Sequence, residues 1–105
     1  MTDHGIDVTA EQIEAFCRRW KISELFLFGS ILRDDFRPGS DIDMLVRFAP
    51  DADWSLFDHA RMELEAEAML HRKVQLIDRQ ALEASANPIR KRAILSTARS
   101  IYRAA

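Results

Sequence analysis

Apolar residues recur along this chain in two periods, one helical and one extended, and the switches between them divide it into elements. From Thr9 to Trp20, Ile13, Phe16, Cys17 and Trp20 stand at i, i+3, i+4 and i+7, the spacing of one helix face. Thr9 with Gln12 three positions on has the form of a capping box, and Arg18, Arg19 and Lys21 put cations where a helix C-terminus favours them. Leu25-Phe26-Leu27-Phe28 then breaks the helical period with four consecutive apolar residues. That run predicts a strand from about Glu24 to Phe28, buried on both faces. Ile42, Met44, Val46 and Phe48 stand two apart and predict a second strand ending near Phe48. Between the two, Asp34 to Ser40 contains Pro38-Gly39, a strong turn signal.

Ala49 to Asp53 reads as a loop, and Ser55 as the cap of a long helix reaching about Leu70. Its expected core stripe is Phe57, Ala60, Leu64 and Ala68, widened by Leu56 and Met69, with Asp58, Glu63, Glu65 and Glu67 as the solvated side. Lys73 to Asp78 is a third strand, and Arg79 to Ala86 a connection with room for a helical turn. Asn87-Pro88 opens a last helix running to about Arg103, with Ile89, Ala93, Ile94, Thr97, Ile101 and Tyr102 turned inward. A tight link between the first two strands implies an antiparallel pair, and a crossover through a long helix implies a parallel one. The expected fold is a small α/β (α+β) domain over residues 1–105, a mixed three-stranded sheet backed by helices.

Composition narrows the class. A chain of 105 residues that is 48% hydrophobic and 30% charged can bury a core, and no apolar run approaches membrane length. One cysteine, Cys17, allows no internal disulfide and reads as a packed thiol, and a cytoplasmic setting fits these features. The net charge of −2 argues against a surface that grips nucleic acid over its whole extent. From Pro88 onward, however, Arg90, Lys91, Arg92, Arg99 and Arg103 face no acidic residue, leaving −7 on the remainder. That segment suits either an acidic partner or phosphates, or else complements a helix dipole. Together with an exposed Trp54 it leaves room for a homo-oligomer.

The candidate chemistry lies in the fifteen residues from Gly29 to Asp43. Side chains two apart on a strand share a face, so Asp41 and Asp43 project side by side, opposite Ile42, Met44, Val46 and Phe48. Two such carboxylates repel unless a proton, an arginine or a divalent cation neutralises them. Mg²⁺ suits the pair, because it takes one or two carboxylates and fills its other positions with water and substrate phosphates. Gly29 lets the backbone approach a phosphate, and Ser30 adds a hydroxyl donor. Arg33 and Arg37 are the cations of this connection, Arg37 being better read as the surface partner of Asp34 or Asp35.

Gly29-Ser30, ten residues, then Asp41-x-Asp43 resembles the signature of the DNA polymerase beta-like nucleotidyltransferases, above all their minimal members, often paired with a HEPN-domain toxin. Arg33 and Ser40 also match, whereas Asp34 stands where a glycine commonly follows the arginine. The resemblance runs from about residue 22 to Tyr102 and implies a palm-like core binding ATP and Mg²⁺ at a two-metal site. It implies Asp41 and Asp43 as metal ligands, Gly29, Ser30, Arg33 and Ser40 at the nucleotide, and a HEPN toxin as partner. Relatives usually carry a third aspartate on the third strand, in Lys-Val-Asp-Leu; here the strand reads Lys73-Val74-Gln75-Leu76. An amide brings no charge and is no base, so Gln75 should weaken the metal that activates the attacking hydroxyl. Asp78, three residues on, falls on the other face and is not given that role. Two readings result: a transferase moving AMP from ATP onto a hydroxyl, such as a tyrosine of the toxin, or an antitoxin that acts by masking its partner.

Overall fold

The computed structural model of the chain describes residues 8–28 and 41–104. The first helix, α1 (Ala10–Arg19), begins at the expected capping box: Gln12 N–H donates to Thr9 Oγ1 at 3.1 Å, and Thr9 N–H to Gln12 Oε1 at 2.9 Å. It buries Ile13, Phe16 and Cys17, with Trp20 just beyond its end. Burial pushes the Cys17 thiol up to about 12, which keeps it protonated and inert. Lys21 takes a left-handed turn (φ 54°) into β1 (Ile22–Phe28), which pairs antiparallel with β2 (Ile42–Phe48).

After β2 comes α2 (Leu56–Leu70), capped by Ser55, whose Oγ accepts from Asp58 N–H at 3.2 Å. The chain continues through β3 (Val74–Asp78), the short α3 (Arg79–Glu83), α4 (Pro88–Thr97) and β4 (Arg99–Arg103). β3 runs parallel to β2 and β4 antiparallel to β1, giving a mixed sheet in the order β3-β2-β1-β4. β1 and β2 are therefore the inner strands, and each is buried on both faces. Leu25, Leu27, Ile42, Met44 and Val46 meet α1 and α2, while Phe26, Phe28 and Leu45 meet Leu82 of α3 and Ile94 of α4. Among the described residues no helix is long and apolar enough to cross a membrane.

The mixed sheet has four strands, one more than the expected three, because the last helix stops six residues early. Thr97 Oγ1 donates to Ala93 O at 2.8 Å and Ser96 Oγ to the same carbonyl at 3.3 Å, side-chain bonds that compete with the helical ladder. Ala98 is already extended (ψ 134°). The strand beyond it, β4, is fastened to β1 by charge: Glu24 and Arg103 are cross-strand partners, with Arg103 Nη2 3.2 Å from Glu24 Oε2. Burial alone would raise the Glu24 pKa, but hydrogen bonds from Ser100 and Arg103, with the charges of Arg103 and Arg79, hold it below the ordinary range. Ile101 and Tyr102 do pack inward as expected, from a strand instead of a helix. Ile89, Ala93 and Thr97 do not; all three are exposed. Arg99 and Arg103 lie on β4 and no cation stands in the last turn of α4, so the helix-dipole reading of the basic segment fails.

A second correction concerns α2. The side chains it buries are Met62, Ala66 and Leu70, on the side opposite the expected stripe. Leu56, Phe57, Ala60, Leu64 and Ala68 are exposed instead. The physical reason is the outer edge of β3. Glu67 Oε2 accepts from Val74 N–H at 3.1 Å, Glu63 Oε2 from Leu76 N–H at 2.9 Å, and His59 Nε2 bonds Leu76 O at 3.1 Å. Residues at i, i+4 and i+8 of the helix thus satisfy backbone groups that an edge strand would leave open. Glu65, the third of these glutamates, accepts from Trp20 Nε1 at 3.0 Å. Far from forming a solvated side, these carboxylates are the fastening of the helix. Trp54, considered as an interface residue, is half-buried: its Nε1 donates to Trp20 O at 2.8 Å and its ring meets Trp20 edge-on at 5.2 Å.

These two faces of α2 should separate in stability measurements. Met62→Ala should lower the urea-unfolding free energy by about 3 kcal/mol, whereas Phe57→Ala and Leu64→Ala, measured on dilute protein, should each stay within about 0.5 kcal/mol. The reverse ranking would restore the stripe expected from spacing alone.

Candidate functional site

β2 presents its apolar side chains to the main core and turns the opposite face toward the smaller cluster. Ile42, Met44 and Val46 are fully buried against α1 and α2. Asp43 therefore lies on the face that also carries Leu45, and Asp41, one residue before the strand, precedes it on the same side. Ile42, between the two acids, is anchored by its N–H to Lys73 O at 2.9 Å, which holds the start of β2 against the start of β3.

Asp43 is half-buried and Asp41 exposed. Burial, and after it the negative charge of Asp41, raise the Asp43 pKa above its ordinary value. The two carboxylates are thus within electrostatic reach of each other, as the spacing predicts. Cross-strand from Asp43 lie Phe28 on one side and Gln75 on the other. Phe28 is the last residue before Gly29, so the chain enters the Gly29–Ser40 segment directly beside the acidic pair. Gly29, Ser30, Arg33, Arg37 and Ser40 themselves lie outside the described residues. Gln75 is exposed, in the parallel register of Asp43, where a third carboxylate would complete a cluster.

Among the described residues no group of three or more His, Cys, Asp or Glu side chains is placed to hold a metal. Asp41 and Asp43 are the carboxylates at this end of β2, with Gln75 in register beside Asp43. Asp78 is not among them: its Oδ1 accepts from Gln80 N–H at 3.0 Å and caps α3. His59 is taken up by β3, and His71 closes α2 in a left-handed conformation (φ 57°), so neither histidine joins the site. Spacing did not reveal the part played by Glu63 and Glu67. The i, i+4 series His59-Glu63-Glu67 was the available signal, with Val74 and Leu76 as the N–H groups it serves.

A mixed sheet backed by helices, with paired carboxylates at the start of an inner strand, defines a nucleotidyltransferase-like domain. The chain belongs to the nucleotidyltransferase domain family, whose model matches residues 10–101. Among solved structures, a protein assigned as a minimal nucleotidyltransferase is 29% identical, with a TM-score of 0.64 over 85% of each chain. A toxin–antitoxin complex with AMP-PNP contains a chain of the same fold, at TM-score 0.68 and 19% identity, over 88% of this chain and 71% of that one. A third similar structure is the tri-AMPylated Shewanella oneidensis HEPN toxin with its MNT antitoxin, at TM-score 0.61 and 19% identity, over 90% of this chain and 69% of that one. No curated protein matches the chain.

The raised Asp43 carboxyl carries a pH signature. The folded chain holds that proton to higher pH than the unfolded one, so stability falls as pH rises from the ordinary 3.8 through the raised value. In chelator-treated protein, Asp43→Asn should raise Tm at neutral pH, and the gain should shrink to nothing below pH 3.8. A gain that persists in acid would mean that charge is not its source.

Proposed function

We propose that this domain transfers AMP from ATP onto a hydroxyl group, using Asp41 and Asp43 to hold Mg²⁺. The observation that carries this reading is the acidic pair at the start of β2, where burial and the Asp41 charge together disfavour ionised Asp43. Such a pair needs a counter-charge, and a hard divalent cation with open positions fits two carboxylates beside an amide oxygen. Bound there, Mg²⁺ would neutralise charge developing on the phosphates. Asp41 and Asp43 orient the cation; Gly29, Ser30, Arg33 and Ser40 bind the triphosphate as the family pattern assigns them. In the reaction the acceptor oxygen bonds to the α-phosphorus, the bond to the bridging oxygen breaks, pyrophosphate leaves, and the hydroxyl proton passes to solvent.

The acceptor in this reading is a tyrosine of a HEPN-type toxin, which makes the chain an antitoxin. Support comes from the fold shared with an antitoxin whose HEPN toxin is AMPylated, and with a toxin–antitoxin complex that holds AMP-PNP. Gln75 favours a second reading. In the register of Asp43 it leaves the site one negative charge short, which suits a domain that binds and masks its partner.

Labelled ATP, Mg²⁺ and the partner toxin separate the two. Under the first reading label appears on the toxin, and Asp41→Asn or Asp43→Asn lowers the rate at least about 100-fold. Gln75→Asp should raise it. A stable, unlabelled complex that tolerates Asp41→Asn selects masking instead.

A further inference from the structure

The parallel pair β2–β3 ends where its two outgoing connections part. From Phe48 the chain crosses to α2, whose Met62 packs in the main core. From Asp78 it enters α3, whose Leu82 packs in the smaller cluster on the other face of the sheet. In open α/β sheets, the crevice outside the carboxyl ends of two strands whose connections diverge in this way is where small ligands seat. A cavity of about 490 Å³ lies on the α2 side, against Phe48, Trp54 and Met62. Another of about 420 Å³ lies on the α3 side, against Arg47, Arg79 and Glu83. Phe48, Pro50, Asp78 and Gln80 line both, so the two are lobes of one crevice wrapped around the end of the sheet. Each lobe has the size of a small-molecule site. Five residues of strand, about 17 Å, separate Phe48 from Asp43 at the other end of β2.

The lobes differ in chemistry. Among the described residues no lysine or arginine lines the α2-side lobe, whose carboxylates are Asp53 and Asp78, beside the rings of Phe48 and Trp54. Asp53 is exposed, and Asp78 commits Oδ1 to Gln80 N–H. On the α3 side the cations are Arg47 and Arg79. Arg79 is already engaged: its Nε lies 2.9 Å from Glu83 Oε1, and its guanidinium covers the Phe26 ring at 5.3 Å. Arg47 also lines an adjoining cavity of about 300 Å³ with Arg103, whose partner is Glu24. Arg79 and Arg103 thus hold the two glutamates, and Arg47, exposed between them, has no bonded acid among the described residues. The crevice offers rings and acceptors at one end and an uncommitted cation at the other.

The geometry points to a second ligand site at this end of the sheet, one that takes a nucleoside monophosphate. The base lies against Phe48 and Trp54, where Asp53 and Asp78 accept hydrogen bonds from its amino group and from the ribose hydroxyls. The phosphate passes Pro50 to the α3 side and meets Arg47 in a charge-assisted pair. An inorganic anion would engage Arg47 alone and lie close to the Asp78 carboxylate, whereas an amino acid would fill only part of one lobe. The site does not depend on the transfer reaction, and Asp41, Asp43 and Gln75 line neither lobe.

Equilibrium dialysis of the chain against labelled AMP, in the presence of a chelator, tests it. AMP should bind saturably, and adenosine and inorganic phosphate each at least about 10-fold more weakly, because each lacks one half of the contacts. Arg47→Ala and Asp53→Ala, both at exposed positions and checked for fold by circular dichroism, separate the two ends of the site. Arg47→Ala should weaken AMP about 10-fold and leave adenosine unchanged, whereas Asp53→Ala should weaken both. Asp41→Asn, at the far end of β2, should leave AMP binding as it was. Absence of saturable binding overturns the proposal, as does an AMP affinity that survives Arg47→Ala or Asp53→Ala. Loss of binding in Asp41→Asn also overturns it, because the nucleotide would then sit at the acidic pair.

Discussion

The alternation of β2 is the constraint on which the rest of the structure depends. Ile42, Met44 and Val46 are fully buried against α1 and α2, and no one-residue slip of register can be tolerated without turning them outward. With β1 on one side and β3 on the other, β2 is held by ladders of opposite polarity. The acidic pair therefore owes its position to apolar burial. Asp43 projects where it does because its neighbours cannot leave the core, and it bears partial burial and a like charge as a result.

How much of this the sequence disclosed depends on where each stabilising partner lies. α1 was legible because its signals are local: the Thr9–Gln12 box and an apolar stripe that packs into the same cluster as the adjoining strand β1. β2 and its carboxylates were legible because alternation is a property of the strand itself. The caps at Ser55 and Asn87 were legible for the same reason. β4 was not, since its partner is β1, some 79 residues away along the chain for Glu24 and Arg103, and its arginines read naturally as a helix end. The strand propensity of Ile101 and Tyr102 became decisive only when β1 offered an unpaired edge.

α2 shows the subtler case. Its apolar residues satisfy two helical stripes at once, one through Phe57 and Leu64 and one through Met62, Ala66 and Leu70. Hydrophobicity alone did not choose between them. The choice was made by hydrogen bonding, because only one orientation lets Glu63 and Glu67 reach the β3 backbone. Within the site, the pairing of Asp43 with Gln75 was legible as a family departure, and the parallel register places the two residues side by side.

The stitching of α2 to β3 has a mechanical consequence. The N–H groups gripped by Glu67 and Glu63 belong to Val74 and Leu76, the residues on either side of Gln75. Helix and strand are clamped at two points that straddle the amide, so α2 acts as a splint for the position next to Asp43. A tug on the splint would be felt first at the edge of the sheet where the amide stands, and hardly at all in the doubly covered strands behind it.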